Sequence, residues 1–117
     1  MIKGQQFIVE VKEFVENNFQ DPNFNVSKLC FFVRTSRASI YRKIMSHCKC
    51  SPQEFIEDIR MEIAKKKIEE QESIIKEIAY EVGFSDHKYF SRRFKQKYLM
   101  TPSDYKKTLL KEEFIIS

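Results

Sequence analysis

Residues 73–105 read SIIKEIAYEVGFSDHKYFSRRFKQKYLMTPSDY, and the rest of the chain is organised around this stretch. Ile75, Ile78, Ala79 and Val82 recur at helical spacing, which predicts a short helix with one apolar face. Gly83 ends that helix, supplying the backbone freedom a tight turn needs. Ser85 is the expected N-cap of a second helix over about residues 86–97. Phe90 and Phe94, four apart, point inward there, while His87, Lys88, Ser91, Arg92, Lys95 and Lys97 stand outward. Helix, glycine turn and a second helix with a basic, hydrogen-bonding outer face form a helix-turn-helix pattern. A single copy fits equally well a pair of short helices whose charges only keep the surface wet.

The pattern occurs twice. Val26, Leu29, Cys30 and Val33 repeat the apolar spacing of Ile75, Ile78, Ala79 and Val82. Ser36 corresponds to Ser85 as a cap, Ile40 and Ile44 to Phe90 and Phe94, and Arg42-Lys43 to Arg92-Arg93. Ser51-Pro52 then matches Thr101-Pro102, and Phe55 matches Tyr105. The offset is 49 residues before the second helix and 50 from its middle onward, which places one inserted residue between Ser85 and Phe90. Agreement at so many typed positions marks an internal duplication.

Working outward, Phe7, Ile8, Val11, Phe14, Val15 and Phe19 predict an amphipathic helix over about residues 5–19. Its outer face carries Glu10, Glu13 and Glu16, which repel phosphate, so its role is packing. Ser51-Pro52-Gln53-Glu54 is a capping box with proline at the first helical position. The helix it starts should turn Phe55, Ile56, Ile59, Ile63, Ala64 and Ile68 inward and run to about Gln71. Some 20 residues at 1.5 Å each span roughly 30 Å, close to one turn of a DNA duplex. Its charges, Glu57 and Arg60 among them, are mixed as on a solvated face. Thr101 caps a last helix over about residues 102–110, with Asp104 reaching back toward the cap, and residues 111–117 form a tail. The expected organisation is a first subdomain (5–50), a linker helix (51–72), a second subdomain (73–110) and the tail.

Composition bounds the function. A chain of 117 residues with 2 Gly, 3 Pro and 42% hydrophobic residues suits a compact, mostly helical protein. No run of 18 apolar residues exists, so no membrane span is indicated, and the first residues lack a signal-peptide layout. Cys30, Cys48 and Cys50 without a CxxC point to a reducing compartment, the cytoplasm. The net charge of +4 is modest, but its distribution is not. Residues 26–50 carry +6 with no acidic side chain and residues 85–107 carry +5, against −7 for the remainder. Positive charge confined to two similar segments is a footprint for a polyanion. His47-Cys48-Lys49-Cys50 cannot converge four tetrahedral ligands from one helix end, so no metal is expected, nor any other cofactor. A redox-sensing thiol pair there would need Lys49 to lower a thiol pKa. No nucleophile, base and orienting acid assemble at meaningful spacing, so the chain is not read as an enzyme.

These residues resemble the DNA-binding domain of AraC/XylS-family bacterial transcription regulators. The resemblance runs through Ile78-Ala79, Val82-Gly83-Phe84, Tyr89-Phe90, Phe94-Lys95, Thr101-Pro102 and Tyr105. In the first half it is carried by Asp21-Pro22, Phe24, Val26, Ser36, Tyr41-Arg42-Lys43, Ser51-Pro52, Phe55-Ile56 and Ile59-Arg60. That half is similar to the variant ending hybrid two-component regulators of the Bacteroides group. The resemblance implies an all-α fold of seven helices, two homeodomain-like helix-turn-helix subdomains joined by the long helix. It implies double-stranded DNA as partner, RNA polymerase at a promoter, and either a fragment of a longer regulator with a sensory or dimerisation domain or a short protein acting alone. By resemblance and outward position, base-reading candidates are Arg37, Ala38, Ser39, Tyr41 and Arg42 in the first unit and His87, Lys88, Ser91 and Arg92 in the second. Lys43, Lys49, Ser51, Arg93, Lys95, Lys97 and Thr101 are the phosphate-binding candidates. Arg34, Lys49 and Leu99 depart from the family, which has glycine at these turns, and each costs of order 1 kcal/mol if φ is positive. Those departures, with Phe32 and Tyr41 as exposed aromatics, support a second reading: a helical protein-interaction module that keeps the fold without reading bases.

Overall fold

The computed structural model describes residues 2–70 and 74–116, with side chains described for 5–70 and 74–111. The capping residues mark where its helices start. The Asn25 side chain accepts from the Lys28 N–H (3.0 Å) and the Ser36 hydroxyl from the Ser39 N–H (3.0 Å). Ser51 and Glu54 close the capping box reciprocally, at 3.1 and 3.4 Å, and Thr101 Oγ1 accepts from the Asp104 N–H at 3.1 Å. Each such bond satisfies an otherwise orphaned donor of a first helical turn. The resulting order is α1 (Ile2–Asn18), α2 (Val26–Val33), α3 (Arg37–Cys48), α4 (Pro52–Glu70), α5 (Ile75–Glu81), α6 (His87–Tyr98) and α7 (Pro102–Ile116). The described residues contain seven helices and no strand.

Three sequence expectations need correction. The cap of α6 is Asp86, not Ser85: its carboxylate accepts from the N–H groups of Lys88 (2.9 Å) and Tyr89 (3.3 Å). From Ser36 and Asp86 onward the repeats keep step at 50, so the extra residue lies in the second turn, before the helix. The last helix does not stop near 110 but continues through most of the expected tail to Ile116. The side chains of Phe114, Ile115 and Ile116, and the expected linker end at Gln71, fall outside the described residues.

The third correction concerns α4, where Glu57 and Arg60 are buried rather than solvated, each 7% exposed. The Arg60 guanidinium reaches back to the α1–α2 loop. Its Nε donates to the Phe19 carbonyl (3.1 Å), and its Nη2 to those of Asp21 (2.9 Å) and Phe24 (3.1 Å). Burial pulls the Arg60 pKa down, while the nearby charges of Glu57 and Asp21 pull it back up.

The chain forms two compact units, residues 1–60 and 61–117, so α4 contributes to both. In the first, Val11 and Val15 of α1, Leu29 of α2 and Ile40 and Ile44 of α3 are fully enclosed. Phe14 stacks on Phe32 at 5.7 Å along the α1–α2 seam. In the second, Phe84, Phe90, Phe94 and Tyr98 form a continuous ring-to-ring row with centroids 5.1, 5.8 and 4.6 Å apart, and Tyr105 joins Phe94 at 6.1 Å. Phe90, Phe94 and Tyr98 are the inner face of α6 itself, which leaves the opposite face of that helix at the surface.

The two turns use one hydrogen-bond scheme. Arg34 N–H donates to the Phe31 carbonyl (3.3 Å) and Thr35 N–H to that of Cys30 (3.1 Å). Gly83 N–H donates to Tyr80 (3.0 Å) and Phe84 N–H to Ala79 (3.0 Å) in the same way. Both are Schellman closures with the pivotal residue left-handed, at φ 54° for Arg34 and 99° for Gly83. Lys49 (φ 58°) and Leu99 (φ 66°) are left-handed too, capping α3 and α6. Arg34→Gly should therefore stabilise the first unit by about 0.5–1 kcal/mol, the relieved side-chain strain outweighing the extra chain entropy. Chemical denaturation of the two proteins checks this.

Candidate nucleic-acid interface

With Ile40, Ile44, Phe90 and Phe94 enclosed, helical geometry decides what faces away from each core. Positions i, i+4 and i+8 form the outward row: Ala38, Arg42 and Ser46 on α3, Lys88, Arg92 and Gln96 on α6, all exposed. Ser46 and Gln96 complete rows whose first two members the sequence had singled out. They were legible from the periodicity, but their neutral side chains drew no attention beside the cations.

The other candidates flank these rows. On α3, Arg37, Tyr41 and Lys43 are exposed, and Ser39 is half-buried with its N–H held by the Ser36 cap. Lys43 Nζ lies 4.4 Å above the Phe7 ring, which fixes its stem while leaving the ammonium at the surface. Lys49 Nζ donates to the Ser46 carbonyl at 3.1 Å. On α6, Lys95 is exposed, while His87, Ser91 and Arg93 are half-buried. Arg92 lies over the Tyr89 ring at 5.8 Å, and Arg93 Nη1 donates to Gln96 Oε1 at 2.8 Å. Lys97 turns away from the row and pairs with Glu62 of α4 at 3.9 Å. Ser51 and Thr101 are occupied as helix caps.

Asp86 places a carboxylate at the head of the second row. The N–H groups of Tyr89 and Lys88, followed by the nearby charges of Arg92 and His87, hold it below its ordinary value of 3.8. A depressed carboxylate stabilises the fold above its unfolded pKa and loses that contribution as pH falls through the lower folded value. Asp86→Ala should accordingly lower the melting temperature at pH 7. The gap to wild type should close as pH drops below 3.8. Thermal denaturation followed by circular dichroism at both pH values checks the sign.

No group of three or more His, Cys, Asp or Glu converges among the described residues. Burial raises the Cys48 pKa, opposite to the lowering a redox sensor needs, and Lys49 is directed to Ser46 instead. No described helix is long and apolar enough to cross a membrane.

Two units that close their first helix with the same hydrogen-bond scheme, each presenting an exposed row with a central arginine on its second helix, define a duplicated helix-turn-helix DNA-binding domain. A helix-turn-helix domain profile matches residues 29–108. The chain belongs to the AraC-type family of bacterial transcription regulators, whose shared domain is a DNA-binding one. It is 34% identical over 101 residues to histidine kinase P4 of Formosa agariphila, covering 86% of this chain and 7% of that protein. It is 30% identical over 105 residues to the raffinose operon transcriptional regulatory protein RafR of Pediococcus pentosaceus, covering 90% of this chain and 37% of that one. The chain thus spans well under half the length of either relative. Among solved structures, it resembles the C-terminal domain of the response regulator yesN from Fusobacterium nucleatum, at TM-score 0.79 and 28% identity, covering 86% of this chain and 98% of that one.

Proposed function

We propose that this domain reads an asymmetric DNA site by placing α3 and α6 in successive major grooves. The observation that carries the reading is the pair of matched outward rows, each with its arginine at the centre. Arg42 and Arg92 donate to base edges, with guanine O6 and N7 the natural bidentate acceptors. Ala38, Ser39, Tyr41, His87, Lys88 and Ser91 line the same grooves. Lys43, Lys49, Arg93 and Lys95, with Ser51 and Thr101 at helix starts, hold the phosphates. Lys97 belongs to the same set, its positive charge partly offset by the exposed Glu62 carboxylate 3.9 Å away.

Two dissimilar readers in one chain let a monomer bind without a palindrome. Such a domain works in the cytoplasm, delivers a longer regulator to its promoter and meets RNA polymerase there. The lengths of the two relatives support the first part of that assembly, since each carries a matching segment within a larger protein.

Selection from a randomised duplex pool tests the reading. A single enriched site with two unlike halves is expected, and no enrichment would refute it. Binding to that site should weaken with salt along a log–log slope of roughly −3 to −4, from about four released phosphate counterions. A slope near zero in a fluorescence-anisotropy titration would favour the protein-interaction reading instead.

A further inference from the structure

Arg37 is the first residue of α3, yet its guanidinium does not join the outward row. Its Nη2 donates to the hydroxyl of Ser27, ten residues earlier on α2. The side chain thereby lines a shallow groove on the flank of α3 with Val26, Tyr41, Ser51, Pro52 and Gln53. The second unit treats the equivalent position differently. His87 there lies edge-on to Tyr80, with ring centroids 6.3 Å apart. Phe31, the counterpart of Tyr80, is 80% exposed and lies edge-on to Phe32 instead, with ring centroids 6.0 Å apart.

We infer that Ser27 is a positioning residue that turns Arg37 away from the base edges and toward a backbone phosphate. The inference rests on the proposed docking, in which the row Ala38–Arg42–Ser46 faces the floor of the groove. Side chains on the flank of a helix so placed face the groove walls, and those walls are phosphate backbone. A guanidinium has five N–H donors in one plane, so one bond to Ser27 restricts where the side chain reaches and leaves four donors for an anion. Having accepted from Arg37, the Ser27 hydroxyl keeps its own proton to donate. The two side chains together offer a forked cation and a hydroxyl to one phosphate. Ser27 thereby makes an arginine at the head of a recognition helix insensitive to sequence.

The test compares wild type, Arg37→Ala, Ser27→Ala, Ser27→Thr and the Ser27→Ala/Arg37→Ala double variant by site selection and by salt titration on the selected duplex. Arg37→Ala should weaken all sequences alike and reduce the salt slope by about 1. Ser27→Ala frees the guanidinium, and a new base preference of at least about fivefold should appear at one position of the first half-site. Ser27→Thr keeps the hydroxyl and should match wild type. The double variant should match Arg37→Ala alone, because Ser27 acts only through Arg37. Loss of an existing base preference in Arg37→Ala, a Ser27→Ala profile identical to wild type, or independent effects in the double variant would each overturn the inference. Failure of wild type to select any site refutes the proposed docking instead.

Discussion

Arg60→Ala should cost the first unit about 3–5 kcal/mol, enough to erase most of the stability of a small domain. The size follows from what the guanidinium holds. Three carbonyls of the α1–α2 loop, from Phe19, Asp21 and Phe24, take their hydrogen bonds from this one side chain at 2.9–3.1 Å. Removing it takes that donor from all three, including the carbonyl of buried Phe24, and withdraws the positive charge that lies near the buried Glu57 carboxylate. Arg60→Lys keeps the charge but has no planar fork to reach three acceptors, so it should recover less than half of the loss. Arg60→Met keeps the stem volume and should resemble alanine, separating lost packing from lost hydrogen bonds. Urea denaturation of the three variants measures the order. A loss under about 1 kcal/mol for Arg60→Ala would show that water replaces the guanidinium at no cost, contrary to the geometry.

Arg92→Ala should weaken binding to the selected site by about 1–3 kcal/mol, roughly five- to 150-fold, and leave random duplex much less affected. Arg92 is the middle member of the Lys88–Arg92–Gln96 row and lies across the Tyr89 ring, which limits the directions its guanidinium explores. A fork held this way loses little freedom on meeting a guanine. The base preference under α6 should relax at one position, whereas Lys95→Ala should lower affinity evenly and flatten the salt slope. Equal losses on selected and random duplex would reassign Arg92 to the phosphate backbone. Arg42→Ala, at the matching position of the first unit, should repeat the pattern under α3 with no change under α6.

Much of the fold was legible in the sequence because its determinants are local. Apolar residues at three- and four-residue spacing set the helices, and a serine or threonine before proline set the starts of α4 and α7. The left-handed backbone at Arg34 follows from its pairing with Gly83 in the repeat, whereas at Lys49 and Leu99 it was expected from the family resemblance, which has glycine there. The cap of α6 was misplaced by one residue because Ser85 and Asp86 are adjacent and both cap well. Only the turn geometry after Gly83 selects between them. The outward rows were two-thirds read: charge picked out Lys88 and Arg92, while Gln96 and Ser46, in register by period but neutral, stand out once the buried phenylalanines and isoleucines orient each helix.

The sequence by itself determined that this protein is a duplicated helix-turn-helix domain whose net positive charge falls in the two repeats, because period, caps and composition act over a few residues. The tertiary structure alone decided what individual charges do. It placed Arg60 inside the first unit as the staple of a loop some 40 residues earlier, drew Arg37 to Ser27, and gave Lys97 to Glu62. The reason is physical: Arg and Lys side chains are long and flexible, and where they end depends on acceptors that only folding brings within reach.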